Sequence, residues 1–120
     1  GFAVADGVAV NGQLTLGENI ADLGGLVIGY DAYQRHLKTT GRKTIAGLTP
    51  EQRFFLGFAQ VERELNRPEG IKTRTLTDPH SPPQFRINGP LGHFDPFYEA
   101  YGVAPTDKLY RAPKDRAKIW

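Results

Sequence analysis

The chain contains no cysteine and no methionine among its 120 residues. Without cysteine it cannot form disulfides, bind a metal through thiolates or use a thiolate nucleophile. The absence of any methionine, the initiator included, leads us to expect a fragment excised from a longer protein. No apolar run approaches the roughly 20 residues that span a bilayer, and residues 1–6 lack the layout of a signal peptide. These absences exclude a disulfide framework, a thiol enzyme and a spanning helix.

Strong charge and the common catalytic motifs are also missing. Lys and Arg number 15 against 13 Asp and Glu, a net charge of +2, which does not by itself indicate a nucleic-acid partner. Asp107 and Asp115 dilute the basic tail, so we predict a solvated surface there and no nucleic acid. The sequence has no H-E-x-x-H zinc helix, no Gly-rich phosphate loop and no G-x-S-x-G elbow. Its length suits one modest domain.

Turn and capping residues predict where the first elements begin and end. Asn11-Gly12 between two apolar runs is typical of a two-residue hairpin, which predicts a short β-ribbon over residues 7–16. A helix should follow over about residues 16–38 and end near Gly41. Residues three and four apart form its apolar stripe. These residues are Leu16, Ile20, Leu23, Val27 and Tyr30.

A second helix is predicted from Thr49, with Pro50 at its first position and Gln52 closing a capping box. It should run to about Asn66. Its predicted buried face comprises Phe54, Phe55, Phe58, Val61 and Leu65. The following stretch, 71–77, fits either a helix or an extended segment.

Prolines and a cap predict the rest of the layout. Three prolines within 78–83 exclude a regular helix and predict a rigid turn, and residues 85–87 should lead into a loop. Asp95-Pro96 should begin a short helix that reaches Tyr101. The predicted fold class is therefore mainly α, with a small amino-terminal β-ribbon and long irregular connections.

Glu18 and Asp22 lie four residues apart in the first helix, so both project from one face about one turn apart. A carboxylate in a helix-packed interior needs a partner, and a metal ion or a metal-bound histidine is a strong one. Gly25 and Gly29 continue this stripe, which predicts close approach by another backbone. Thr15 also fits a capping box with Glu18, and a single helical aspartate is commonly solvated. On spacing alone, the capping and solvated interpretations are favoured.

His80 stands in the proline-rich turn, which would fix its imidazole direction at little entropic cost. Arg86 follows six residues later. A rigid histidine and a nearby arginine could stabilise an oxyanion and grip a carbonyl or carboxylate. The alternative, favoured on these residues alone, is a surface turn with an ordinary arginine. His36 and His93 have no ligand spacing to any other residue.

Three segments carry a family resemblance, in the right order and over nearly the whole chain. Residues 10–22, with Gly17-Glu18-Asn19-Ile20-Ala21-Asp22, resemble the second zinc-site segment of the neprilysin-type metallopeptidases. This family also contains endothelin-converting enzyme and bacterial oligopeptidases. Residues 54–61 resemble the helix that follows in the family, and residues 78–87 resemble its His-Ser-Pro…Phe-Arg segment. The closing Ile119-Trp120 matches the family's usual carboxyl-terminal tryptophan.

The resemblance implies a role for each candidate residue. Glu18 would be the third ligand of a catalytic Zn²⁺, and Asp22 would orient one of two zinc-binding histidines. His80 would donate to the oxyanion of the tetrahedral transition state, and Arg86 would hold a substrate carbonyl. The implied reaction is zinc-assisted hydrolysis of peptide bonds in oligopeptides. Residues 1–120 would then form one carboxyl-terminal helical segment of a thermolysin-like zinc metallopeptidase catalytic domain.

The family's H-E-x-x-H helix would lie upstream of this chain. We therefore expect the amino-terminal part of the peptidase as the main partner, or a second copy of this chain, and an exposed apolar and acidic groove where that partner is lacking. The chain alone should neither bind zinc tightly nor cleave peptides. The alternative is a non-catalytic helical interaction module that retains the peptidase scaffold. The family implies an extracytoplasmic location, and the absence of cysteine favours a bacterial branch.

Overall fold

A computed structural model describes residues 3–5 and 7–119 of the chain. The described elements are β1 (Ala3–Ala5), β2 (Val8–Ala9), α1 (Gly12–Thr40), α2 (Pro50–Val61), α3 (Pro68–Thr77), α4 (Pro83–Leu91), α5 (Asp95–Tyr101) and a 3₁₀ turn (Pro113–Asp115). The fold is mainly α, with a two-stranded ribbon at the amino end, which confirms the predicted class. In the part of the chain described, no helix combines the length and apolarity needed to cross a membrane.

The predicted ribbon over residues 7–16 is wrong in position. β1 and β2 pair antiparallel with Ala3 opposite Ala9, and Asn11 is the N-cap of α1 instead of a hairpin residue. Its side chain accepts hydrogen bonds from the backbone N–H groups of Gln13 at 3.0 Å and Leu14 at 3.2 Å. Asparagine is favoured both in hairpin turns and at N-caps. Here the cap prevails, so α1 begins four residues before its predicted start.

α1 extends about 44 Å at 1.5 Å per residue over its 29 residues, and Gly41 ends it with φ of 83°, as predicted. Two of the five residues of its predicted apolar stripe are not buried, because Leu16 and Ile20 are 57% and 50% exposed. The predicted backbone approach at the glycines is also wrong. A Cβ on Gly25 would meet no described atom within 4 Å, and one on Gly29 would meet only the Phe54 ring, at 3.8 Å.

The core lies where the middle of α1 crosses α2 and the α4–α5 corner. Leu26, Phe55 and Leu91 are its fully buried members, and Tyr30 stacks on Phe55 with ring centroids 5.5 Å apart. Such aromatic pairs add about 0.5–1.5 kcal/mol beyond the area that they bury. This cluster fixes α1 against α4, and it therefore fixes the two helices that carry Glu18, Asp22 and Arg86.

α2 begins with the predicted capping box. The Thr49 side chain accepts from the backbone of Gln52, and the Gln52 side chain accepts from the backbone of Thr49. The helix ends at Val61, five residues before its predicted end. Val61 and Leu65 are 80% and 104% exposed, so their predicted burial is wrong. The apolar periodicity continues past the end of the helix, where none of the described elements covers it.

The segment 71–77, which the sequence left open, lies in α3. Residues 78–82 form the predicted non-helical turn. The loop predicted after residues 85–87 is wrong, because α4 continues to Leu91. Pro83 stands at the first position of this helix, where its missing N–H costs no hydrogen bond and its fixed φ suits the helix. The closing Trp120, which entered the family resemblance, lies outside the described residues.

The tail after α5 folds back onto that helix around Tyr98. The Tyr98 hydroxyl lies 2.8 Å from the Gly92 carbonyl and accepts from the Arg111 backbone N–H at 2.8 Å. The Arg116 guanidinium covers the Tyr98 ring at 3.7 Å and bonds to Asp95 at 2.5 Å. This cation–π contact and this ion pair stabilise the packing of the tail against α5.

Candidate active site

Glu18 and His80 meet where α1 passes the turn at 78–82. The Glu18 Oε2 lies 3.1 Å from the His80 Nε2, and both side chains are about two-fifths exposed, at 41% and 40%. The capping interpretation of Glu18 is wrong, because Thr15 lies inside α1 and its hydroxyl donates to the Asn11 carbonyl at 3.1 Å. Glu18 therefore does not cap α1, and its side chain contacts His80.

Asp78 orients the His80 ring, and the sequence analysis missed it. The Asp78 Oδ1 accepts the His80 backbone N–H at 2.9 Å and lies 2.7 Å from the ring Nδ1. These two hydrogen bonds, the backbone one above all, lower the pKa of Asp78. With Nδ1 on Asp78, Nε2 is the nitrogen left to face Glu18. An aspartate two residues before its partner is the usual spacing of an Asx turn, and this signal was available in the sequence.

Arg86 and Asp22 form a bidentate ion pair between α4 and α1. Arg86 Nε donates to Asp22 Oδ2 at 2.9 Å, and Nη2 donates to Oδ1 at 2.7 Å. Arg86 Nη1 also lies 3.3 Å from Glu62 Oε1. The hydrogen bonds from Arg86 to Asp22 are the main cause that raises the pKa of Arg86 above its already high value. Such planar fork contacts are short and directional.

The Arg86 and Asp22 side chains are 24% and 16% exposed. The interpretations of Asp22 as a solvated aspartate and of Arg86 as an ordinary surface arginine are therefore wrong. All four candidate residues predicted from sequence lie together on α1, α4 and the turn between α3 and α4. The sequence analysis missed their pairing, because Asp22 and Arg86 are 64 positions apart.

Of the candidate residues, Glu18 alone is suited to bind a zinc ion. A catalytic zinc site takes three protein ligands and a water. Within residues 3–5 and 7–119, no three His, Cys, Asp or Glu side chains converge closely enough to hold a metal ion. Glu18 contacts His80 through one carboxylate oxygen, Oε2, so the other oxygen can face an ion. A zinc site that used Glu18 would need two further protein ligands from outside the described residues.

Two cavities in the described part of the chain differ in size and in their distance from the candidate residues. The one that touches His80 and Ser81 has a volume of about 20 Å³, which is room for a single water. A larger cavity of about 310 Å³ lies between α1 and the tail and is lined by Leu23, Val27 and Ile119. It lies away from Glu18 and Arg86. Among the described residues, the candidate site therefore does not enclose a cavity of peptide size.

Comparison with known proteins decides the family. The model of peptidase family M13 matches residues 1–117. The chain belongs to peptidase family M13. This membership confirms the resemblance to the neprilysin-type zinc metallopeptidases that the sequence motifs carried.

The M13 relatives include proteins from animals and from a bacterium. Endothelin-converting enzyme 1 of Cavia porcellus is 42% identical over 118 residues, 96% of this chain and 15% of that protein. Human neprilysin is 42% identical over 120 residues, 98% of this chain and 16% of that protein. The Mycobacterium tuberculosis zinc metalloprotease Zmp1, solved in an open state, superposes with a TM-score of 0.88 at 46% identity. It covers 92% of this chain, which spans 17% of Zmp1.

The chain thus spans about a sixth of the length of the relatives that it matches. Its helical architecture is that of the corresponding part of an M13 zinc metalloprotease. The comparisons assign no role to Glu18, Asp22, His80 or Arg86.

Proposed function

We propose that this chain forms the carboxyl-terminal part of the catalytic domain of a zinc endopeptidase that hydrolyses peptide bonds in oligopeptides. One observation carries the proposal. A carboxylate, an oriented imidazole and a partly buried guanidinium converge on one wall, although they come from distant parts of the chain. Membership of family M13 supports a peptidase reaction for this arrangement.

Glu18 is the proposed zinc ligand of this chain. Zinc, when bound in such sites, activates a water and polarises the scissile carbonyl. Glu18 suits the task because it is half-exposed on a long rigid helix and faces the turn that carries His80. The H-E-x-x-H helix of the amino-terminal part of the same protein would supply the other two ligands and the general base.

His80 is the proposed oxyanion donor. Asp78 holds the ring through Nδ1 and through the backbone N–H, so the direction of Nε2 is set before substrate arrives. A donor aimed in advance at the developing negative charge lowers the barrier, and loss of one such donor typically costs about 10²–10³ in kcat.

Arg86 is the proposed anchor for a substrate carbonyl. A guanidinium has five N–H donors. Two of them are hydrogen-bonded to Asp22, and the Nη1 group forms an ion pair with Glu62 at 3.3 Å, which engages at most one more. At least two donors remain for substrate. Asp22 fixes the guanidinium plane through both of its oxygens. Each oxygen keeps a second lone pair, so Asp22 can still accept from a zinc-binding histidine as the family resemblance implies.

The amino-terminal part of the same polypeptide is the proposed partner. Leu16 and Ile20 are half-exposed and project from the side of α1 opposite Glu18. An amino-terminal part that packed around this end of α1 would remove their apolar surface from water. A second copy of the chain is the other proposed occupant. The chain alone should show no tight zinc binding by isothermal titration and no peptide cleavage. An extracytoplasmic location is proposed with the family function.

Steady-state kinetics of the complete polypeptide test this function. We expect His80→Ala to lower kcat on an oligopeptide by about 10²-fold or more, with bound zinc unchanged. His36→Ala is the matched control, since His36 is exposed near the far end of α1, and it should retain full activity. Equal activity of the two variants would contradict the assigned role. A complete polypeptide without an H-E-x-x-H helix would favour the non-catalytic interaction module.

A further inference from the structure

A chain of polar side chains runs beside the candidate site and has no part in the roles given above. Ser81 Oγ donates to Asn19 Oδ1 at 2.8 Å. Asn19 Nδ2 donates to Thr15 Oγ1 at 3.2 Å, and Thr15 Oγ1 donates to the Asn11 carbonyl at 3.1 Å. Ser81 is the only serine in the chain. The chain of hydrogen bonds therefore connects the 78–82 turn to the first turns of α1.

The two contacts between the turn and α1 involve adjacent residues on each side. His80 meets Glu18, and Ser81 meets Asn19. Any shift of the turn along α1 that lengthens the Ser81–Asn19 bond would also move His80 relative to Glu18. The serine–asparagine bond therefore sets the register between the proposed oxyanion donor and the proposed zinc ligand.

Burial decides which of the two contacts holds the register. The Glu18 and His80 side chains are two-fifths exposed, and ion pairs so accessible to water typically contribute only about 0.2–1 kcal/mol. Ser81 and Thr15 are 4% and 1% exposed. A buried hydroxyl that loses its partner costs about 1–3 kcal/mol, so the turn strongly resists moving away from Asn19.

The side chains that form this series of hydrogen bonds all have hydrogen-bond partners. Among the described residues, no buried side-chain nitrogen or oxygen lacks a hydrogen-bond partner. Asn19 uses its carbonyl oxygen toward Ser81 and its amide toward Thr15, so both ends of its side chain are fixed. A fully satisfied, partly buried network of this kind favours one arrangement of the elements that it joins.

We propose that Asn19 and Ser81 are positioning residues of the peptidase, which act through His80 by fixing its distance from Glu18. The proposal rests on the proposed function, because it presupposes that His80 takes part in catalysis. Loss of the Asn19–Ser81 hydrogen bond removes none of the proposed catalytic side chains, but it allows the 78–82 turn to move relative to α1. Misplacement of a catalytic group by about 1 Å can cost 10²-fold in rate.

A kinetic cycle in the complete polypeptide tests the proposal. Ser81→Ala should lower kcat about 10- to 100-fold, with KM and zinc content nearly unchanged. Ser81→Thr, which keeps the hydroxyl, should recover most of the activity. In a His80→Ala background, Ser81→Ala should lower kcat no further, because the residue through which it acts is gone. Thr39→Ala, which removes an exposed hydroxyl near the end of α1, is the matched control and should leave kcat unchanged.

The outcomes separate the two proposals. An equal fall of kcat on Ser81→Ala in both backgrounds indicates a structural role alone and overturns the positioning role. Full activity of Ser81→Ala, when His80→Ala is impaired, also overturns it and leaves the proposed function standing. Full activity of His80→Ala refutes the proposed function itself. Should Ser81→Ala not fold, Asn19→Leu removes the acceptor of the same hydrogen bond and completes the same cycle.

Discussion

The ion pair between Arg86 and Asp22 makes the sharpest prediction about stability. Replacement of Arg86 by alanine removes two charge-assisted hydrogen bonds, at 2.9 and 2.7 Å. It also leaves the Asp22 and Glu62 carboxylates, which are 16% and 22% exposed, without their shared cation. Exposed pairs contribute about 0.2–1 kcal/mol, and removal of one partner of a buried pair costs about 3–5 kcal/mol. The partial burial here places the expected loss at about 2–4 kcal/mol.

Urea unfolding followed by helical circular dichroism measures this loss on the 120-residue chain, since the pair lies wholly within it. Arg35→Ala is the matched control. Its partner Asp31 lies at a similar 2.9 Å, but the two side chains are 76% and 62% exposed, so a loss below about 1 kcal/mol is expected. The double variant Asp22→Leu/Arg86→Met should lose less than Arg86→Ala, because Asp22 no longer remains as an uncompensated charge. Equal, small losses for Arg86→Ala and Arg35→Ala would refute this reasoning.

Three further predictions concern other parts of the fold. Thr49→Ala should destabilise the chain by about 1 kcal/mol through loss of the α2 capping box, with Thr49→Ser near wild type in the same urea assay. Tyr98→Phe should cost about 1–3 kcal/mol, because the backbone groups of Arg111 and Gly92 lose a buried partner; a loss under 0.5 kcal/mol would contradict the hydroxyl's role. Burial, with Arg111 nearby, lowers the pKa of His93 below 6.5, and its Nδ1 accepts from the Ala117 N–H at 2.8 Å. The stability of this contact is therefore complete above pH 6.5 and is lost as the pH falls through the folded-state pKa. The protection factor of the Ala117 amide, which compares the observed exchange rate with the intrinsic rate at the same pH, should therefore fall below pH 6.5; a pH-independent protection factor would contradict it.

Local hydrogen-bond chemistry made the helix ends at Thr49 and Gly41 predictable. A capping box needs only residues three positions apart, and a positive φ at a helix end needs only glycine. Asn11 shows the limit of such signals. The same side chain suits a hairpin or an N-cap, and the choice depended on what followed it. The apolar periodicity likewise continued to Leu65, although α2 ends at Val61, because periodicity does not reveal whether a neighbour is present to cover a face.

The candidate site likewise contains features that the sequence predicted and features that it did not. Spacing placed Glu18 and Asp22 on one face of α1, but it favoured capping and solvation for them. Their true partners, His80 and Arg86, come from distant sequence positions that no local pattern connects. The family resemblance brought these residues together, and the structure shows the contacts between them. Asp78 was not predicted, although its spacing to His80 is that of an Asx turn. The three prolines of this segment already accounted for a turn without it.

The zinc content of the complete polypeptide tests the central claim most directly. Glu18→Ala should purify without zinc, because one of three protein ligands is gone. Glu69→Ala, which removes an exposed glutamate in the first turn of α3, should purify with the zinc content of the wild-type protein. Elemental analysis of the three proteins, purified in parallel, gives the answer. Equal zinc in all three would contradict the assignment of Glu18 as the metal ligand of this chain.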